Sequence, residues 1–309
     1  MKIGLGIGLS SQIPASVSAY LDQIVAAERD GFPVAWLPQI LGFDSLTMIA
    51  MAGPRTSRIE FVTGVVPIYP RHPVMLAQQA LTVAQATGDR LALGIGLAHP
   101  ETVTTWWGVP YERPARYMRE YLSVLMPLLA ERRVKFAGDF FKSEVGLRIG
   151  QVKPPSVLLA ALAPKMLEMA GSIADGTVLW VVGRRAVESH ILPRINEAAQ
   201  KAGKPPPRVC VGLPVCVTDD ARRGRASADQ QFARYGQLVN YRRVLDIEGV
   251  EGPGSVAVVG NEKEVERELR ALASTGASDF FASIFVPDGE PSGSEARTRA
   301  CLRSLVGKI

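Results

Sequence analysis

The sequence predicts an α/β fold of the (β/α)8 TIM-barrel type with insertions, and three observations predict it. Apolar strand-like runs alternate with helix-periodic segments along the whole chain, the pattern of parallel strands joined by helical crossovers. The chain has 309 residues, somewhat more than the ~250 of a typical barrel of this kind. The competing doubly wound sheet should carry a G-x-G-x-x-G turn after its first strand, whereas Gly4-Leu-Gly-Ile-Gly8 has another spacing and lies inside the strand. No solenoid-period repeat and no low-complexity segment interrupts the alternation.

The opening run MKIGLGIGLS reads as the first strand, Lys2 to Gly8, with Ile3, Leu5 and Ile7 alternating against Gly4, Gly6 and Gly8. Close packing explains that bare glycine face better than a ligand does. The helix Ser16 to Asp30 follows and stops at Gly31. Val34 to Ile40 is the second strand, and Gln39 and Asp44 bracket a turn in which Asp44 caps the helix SLTMIAMAG. Ile59 to Val66 is β-branched and apolar, a strand buried on both faces. Pro67, Pro70 and Pro73 forbid its continuation, and Pro73 suits the first turn of a helix running to Thr87. Thr63 offers a hydroxyl there and Gly64 a backbone freedom that other residues lack, so this turn is either a close approach for a flat ligand or a ligand-free bulge. The fourth strand, Leu91 to Ala98, puts Gly94 and Gly96 on one face and ends at His99.

Residues 100–112 form an aromatic-rich connection before the helix Pro114 to Leu129, in which Arg116 and Glu120 are spaced for a structural ion pair. Lys135 to Val152 reads as an irregular insertion or hairpin. The fifth strand is Ser156 to Leu162, with Pro164 opening its helix. The sixth strand is Thr177 to Val182, with a helix from Arg185 to Ala202. In the seventh, Arg208 to Val217, Pro214 predicts fraying or a bend. Residues 219–249 are polar, helical and arginine-rich, long enough for an extra subdomain or a lid. Val256 to Gly260, the helix Glu262 to Ser274, the strand Asp279 to Val286 and the helix Glu295 to Val306 complete the alternation. The chain thus reads as one domain, 1–309, with insertion segments at about 100–112, 134–153 and 219–249.

Composition narrows the function. Lys and Arg number 35 against 30 Asp and Glu, a formal charge of +5. That is too mild and too dispersed for nucleic acid, although it suits an anionic small ligand as well as a solvated surface. Cys210, Cys216 and Cys301 form no CxxC and no metal-ligand spacing with His72, His99 or His190, so inert thiols in a reducing compartment are expected. No signal-peptide pattern and no bilayer-length apolar run appears, which leads to the expectation of a cytoplasmic protein without a membrane partner.

In such barrels ligands sit at the carboxyl ends of the strands. Those ends are Gly8, Gln39, Thr63 to Val66, Leu97 to His99, Ala160 to Lys165 and Trp180 to Gly183, mostly small or apolar. Paired carboxylates, a Ser/His/Asp arrangement and a metal cluster are all missing from the set. A wide uncharged mouth suits a planar cofactor that brings its own chemistry.

The runs WLPQ, TGVVPIYPRHP, LGIGL and RPARYMREYLSVL, with the later ADGT and VAVVG, resemble the bacterial luciferase-like superfamily, and within it the actinobacterial branch that uses the deazaflavin coenzyme F420. The resemblance implies hydride transfer between deazaflavin C5 and a small organic substrate, and a homodimer. It implies a bulge on the third strand, often with a non-prolyl cis peptide, at Gly64 to Val66. It places the phosphate site at Leu162 to Lys165, where Ala161 and Ala163 stand in place of the family's glycines and Pro164 removes one donor. The cofactor-binding set it yields is Gln39, Thr63, Gly64, Val65, Val66, Gly96, Ala161, Leu162, Ala163, Lys165 and Trp180, with no metal. His99 falls where related enzymes carry a proton-donating side chain, and its ordinary pKa suits that task. His72 reads as structural, fixing the start of the third helix. Trp106, Trp107 and Tyr111 either wall the substrate pocket, cover the rim or form a dimer contact. Arginines 184, 185, 222, 223, 225, 242 and 243 would suit the acidic tail of F420 if they line a groove. The alternatives are an FMN-dependent monooxygenase on the same barrel and a barrel that binds a flavin or a partner without catalysis.

Overall fold

The computed structural model describes residues 1–8, 14–290 and 293–309. Eight parallel strands close into a barrel: β1 (Lys2–Gly6), β2 (Val34–Leu37), β3 (Glu60–Thr63), β4 (Leu91–Gly96), β5 (Ser156–Ala160), β6 (Gly176–Trp180), β7 (Arg208–Val217) and β8 (Asp279–Ile284). Each pairs with its neighbour in chain order, and β8 closes on β1 through the register Lys2 to Asp279. Helices follow most strands, and their apolar faces pack on the outward side chains of the sheet in one large core. Among the described residues no helix is long and apolar enough to cross a membrane.

The lumen holds the alternate residues: Val34, Trp36, Val62, Ala92, Leu158, Val178, Cys210 and Phe281. Trp36 and Phe281 stack across it, centroids 5.1 Å apart and planes 13° off parallel. Small residues make the room. A Cβ on Gly4 would lie 2.6 Å from Trp36 Nε1, and one on Gly212 would lie 2.8 Å from Phe281 Cδ1. The glycine at position 4 therefore serves close packing, as its sequence pattern suggests.

Most strands end two or three residues earlier than the sequence reading has them, and two segments depart further. β1 ends at Gly6, although the amide of Ile7 still donates to Trp36 O at 2.9 Å; Leu9 and Ser10 of the opening run lie outside the described residues. Val256 to Gly260 is no barrel strand. Only Val258–Gly260 is extended, and it pairs outside the barrel with the carboxyl half of β7. Pro214 neither frays nor breaks β7, which is buried and continuous over its ten residues. On one side β7 pairs with β6 as far as Gly212 and with the outer strand from Val215 onward. Pro214 sits in that gap between partners, where its missing N–H leaves no ladder bond unmade.

The insertions add a single-turn π-helix Thr102–Trp106, an antiparallel hairpin of Arg133–Ala137 with Lys142–Gly146, and the helices Ala221–Gln231, Ala233–Gln237 and Val239–Glu248. The carboxylate of Glu120, half of the expected pair with Arg116 at 3.1 Å, also accepts from Phe140 N at 2.7 Å and so pins the hairpin tip. Asp44 and His72 cap the second and third helices as their positions suggest. All three cysteines are buried thiols.

Candidate functional site

The carboxyl end of β3 shapes the site. Val62 pairs with Ala92 and Val66 with Ile95, so four steps of one strand pass opposite three of the other. That is a one-residue bulge. It contains the non-prolyl cis peptide Gly64–Val65. The Thr63 hydroxyl donates to Gly94 O and accepts from Gly94 N, both at 2.8 Å, and so ties the bulge to β4. A Cβ on Gly96 would lie 2.8 Å from Val65 Cγ2, so the glycine lets the bulge fold over β4.

Above the bulge opens a cleft of about 310 Å³. Its floor is aromatic: Phe281, stacked on Trp36, meets the ring of Trp180 at 5.8 Å. Trp180 ends β6, and the next residue, Val181, has φ +53°, a left-handed backbone that β-branched residues rarely adopt. Ala98 on the opposite rim has φ +58°, immediately before His99. Two non-glycine residues held in this region on the two sides of one cleft are a mark of a site that the surrounding structure over-determines.

The insertions build the walls. Residues 100–112 contribute Trp106, Trp107 and Tyr111, and residues 219–249 contribute Arg234, Tyr235 and Tyr241. Tyr235 packs edge-on against Tyr241 at 5.0 Å and against Trp180 at 5.8 Å. The imidazole of His99, half-buried, lies 5.9 Å from the Tyr241 ring. Burial holds its pKa below the ordinary value, and the nearby Arg234 guanidinium acts in the same direction against a weaker opposing effect of Glu101. The ring therefore faces the cleft neutral at neutral pH, able to accept a proton.

Most of the sequence-derived set meets here. Gln39, Gly64, Val65, Gly96, Ala161, Leu162, Ala163 and Trp180 line the cleft together with His99. Three residues do not. Thr63 is fully buried with its hydroxyl consumed by Gly94, Val66 is buried among the core side chains, and Lys165 is exposed on its helix and not among the lining residues. The seven arginines considered for an acidic tail line no part of the cleft. Arg184, Arg223, Arg225 and Arg242 pair instead with Glu188, Glu290, Glu268 and Asp246. Sequence reading also missed Arg234, Tyr235, Tyr241 and Phe281. Phe281 was visible as an inward position of β8, but nothing periodic marks the other three.

The donor set fits a flat heteroaromatic ring with carbonyl oxygens. Trp180 Nε1 is buried without a hydrogen-bond partner. Gln39 Oε1 is engaged by Ser45 N and Oγ at 2.7 and 2.9 Å, which orients the amide and leaves its Nε2 without a partner among the described residues. At the turn after β5, His190 Nε2 contacts Leu162 O at 2.8 Å and fixes the loop. The Leu162 and Ala163 amides there bond to no other described residue, so this turn retains donors for an anion despite Pro164.

A closed parallel barrel with an aromatic cleft at the carboxyl ends of its strands, over a bulged third strand, is a (β/α)8 barrel with its ligand-sized site where such barrels place one. The chain belongs to the luciferase-like monooxygenase family, whose model matches residues 3–281. It is 30% identical over 289 residues to the F420-dependent hydroxymycolic acid dehydrogenase of Mycobacterium tuberculosis, covering 86% of this chain and 78% of that one. Among solved structures, an F420-dependent secondary alcohol dehydrogenase in complex with an F420-acetone adduct superposes with a TM-score of 0.77 at 18% identity, covering 97% of each chain. The oxygenating constituent of the 3,6-diketocamphane monooxygenase of Pseudomonas putida, in complex with FMN, superposes with a TM-score of 0.77 at 16% identity over 100% of this chain and 97% of that one.

Proposed function

We propose that this protein is a coenzyme F420-dependent oxidoreductase that moves a hydride between deazaflavin C5 and a small organic substrate. The observation that carries the reading is the inventory of the cleft: a flat aromatic floor, unpartnered donors at Trp180 and Gln39, and one neutral imidazole, with no carboxylate on the wall. The F420-dependent relatives support the choice of coenzyme. When bound, the deazaflavin supplies the carbon that gives or takes the hydride. The bulge at Gly64–Val65 with Gly96 would support the ring, Trp180 Nε1 and Gln39 Nε2 would donate to its carbonyl oxygens, and the amides of Leu162 and Ala163 would meet its phosphate. His99 takes a proton from the substrate hydroxyl as the hydride leaves, or returns it in the reverse direction. Trp106, Trp107, Tyr235 and Tyr241 exclude water from the reacting atoms. A flavin ring presents the same flat face, and the FMN-bound neighbour favours an FMN-dependent monooxygenase as the second reading.

Fluorescence titration of the purified protein with F420 and separately with FMN is the deciding experiment. Preferential binding of F420, followed by reduction or oxidation of its chromophore in the presence of secondary alcohols or ketones, is the expected result. Preference for FMN overturns the coenzyme assignment, and absence of any redox turnover overturns the enzyme reading in favour of a non-catalytic barrel.

A further inference from the structure

We infer that Arg234 is the anion-recognition residue of the cleft, and that a ligand seated against it carries a carboxylate or phosphate group that takes the place of Glu101. The inference rests on reading the cleft as a ligand site and not on which coenzyme fills it. Arg234 is the single Lys or Arg on the cleft wall among the described residues, and no carboxylate lines that wall. The stretches 9–13 and 291–292 contain no charged residue in the sequence, so they bring no second charge to this rim.

The guanidinium is held but barely used. Its carbon lies 5.9 Å from the centroid of the Trp106 ring, which braces the flat face. Its one ion partner is Glu101, through a single Nη2 to Oε2 contact of 3.4 Å, with the two side chains 50% and 71% exposed. That is long for a charge-assisted bond, which closes to about 2.7–2.9 Å when well made. Arginines with a structural task in this molecule look different. Arg208 grips Glu60 and Asp279 through four bonds of 2.5–3.0 Å, and Arg297 grips Asp219 and Glu262 through four bonds of 2.7–3.1 Å. Arg234 thus keeps most of its donor fork unspent at the mouth of an uncharged, low-dielectric pocket. Glu101 is a loosely placed carboxylate that a better-fitting oxyanion displaces at small cost. The anion has two possible sources, the coenzyme's acidic end or the substrate.

The test is a titration, followed by tryptophan fluorescence, of wild type, Arg234→Gln, Arg234→Lys and Glu101→Gln with charged and neutral probe pairs: benzoate against benzyl alcohol, and phenyl phosphate against phenol. Wild type binds the anion of each pair more tightly. Arg234→Gln weakens the anions by about tenfold and leaves the neutral probes unchanged, the size of one charge-assisted bond lost. Arg234→Lys keeps part of the preference, and Glu101→Gln sharpens it by removing the competing carboxylate. The same variants with F420 and with its unphosphorylated chromophore distinguish the source. A loss for F420 alone assigns the anion to the coenzyme, whereas unchanged binding of both assigns it to the substrate. Equal losses for charged and neutral probes, or no anion preference in wild type, overturns the inference and leaves Arg234 as a staple between the two insertions. Failure of the coenzyme reading shows separately, as wild type that binds neither F420 nor FMN while the probe pairs still depend on Arg234.

Discussion

Burial in the cleft and the adjacent Arg234 both hold the His99 imidazole below its ordinary pKa of 6.5, and this sets the sign of the pH dependence. A base whose proton affinity is lowered stays active through neutral pH and loses activity only as pH falls through the lowered value. The expected kcat/KM profile is flat above 6.5 with its acid limb below that value; a limb above it would show that the neutral ring is not the base. Arg234→Gln removes one of the two lowering influences and moves the limb upward. His99→Ala is expected to reduce turnover by roughly 10²–10⁴-fold with the coenzyme dissociation constant unchanged, the range of a lost general base. Thr63 behaves differently although it sits nearby in sequence. Its hydroxyl satisfies both the N–H and the C=O of Gly94 at a fully buried position. Thr63→Val strands both groups and should cost about 2–4 kcal/mol of stability in urea unfolding.

Elements bring the walls to the floor. The helix Val239–Glu248 carries Tyr241 at one end and Glu248 at the other. The Glu248 carboxylate accepts from Arg185 N at 3.2 Å and Ala186 N at 2.8 Å, capping the helix that follows β6. A Cβ on Gly183 would run into that carboxylate, so glycine there lets the cap approach. The cap joins the 219–249 insertion to the barrel beside Trp180. Glu248→Ala should therefore cost about 1 kcal/mol of stability, the value of a helix cap, and raise the KM of the substrate more than it lowers kcat, because the Tyr241 wall loosens while the floor stays. A KM for Glu248→Ala equal to that of wild type would show that the insertion is held by other contacts.

The barrel as a whole is closed at its amino end by charge. Arg208 at the start of β7 bridges Glu60 on β3 and Asp279 on β8, partners 148 and 71 positions away in sequence. Asp279 is 1% exposed, so its charge is tolerable only with Arg208 present. Arg208→Met leaves that carboxylate buried without its partner and should cost about 3–5 kcal/mol in thermal or urea unfolding. Ligand affinity per folded molecule should not change, since the cluster lies at the end of the barrel opposite the cleft. A loss of only a few tenths of a kcal/mol would mean that Lys2, 3.3 Å from Glu60, or solvent takes over the role.

What the sequence determined by itself was set by local periods. Strand alternation and helix spacing repeat within a few residues, so they gave the order of the strands, the closed parallel barrel and the rim on which Gln39, Gly64, Val65, His99 and Trp180 meet. The glycine at position 4 and the cap at His72 were legible for the same reason. The tertiary structure alone decided the rest. Thr63 and Val66 occupy a strand end, yet the bulge turns them into the core, and no spacing rule tells a hydroxyl that faces a ligand from one that ties two strands. Val256 to Gly260 has the composition of a barrel strand, and only closure of β8 on β1 excluded it from the wall. Arg234 pairs with a residue 133 positions away, on an insertion whose polar helices carry many arginines with equal local merit. Which of them reaches the cleft depends on how two long connections pack against each other over the barrel mouth, a non-local contact that leaves no period in the chain.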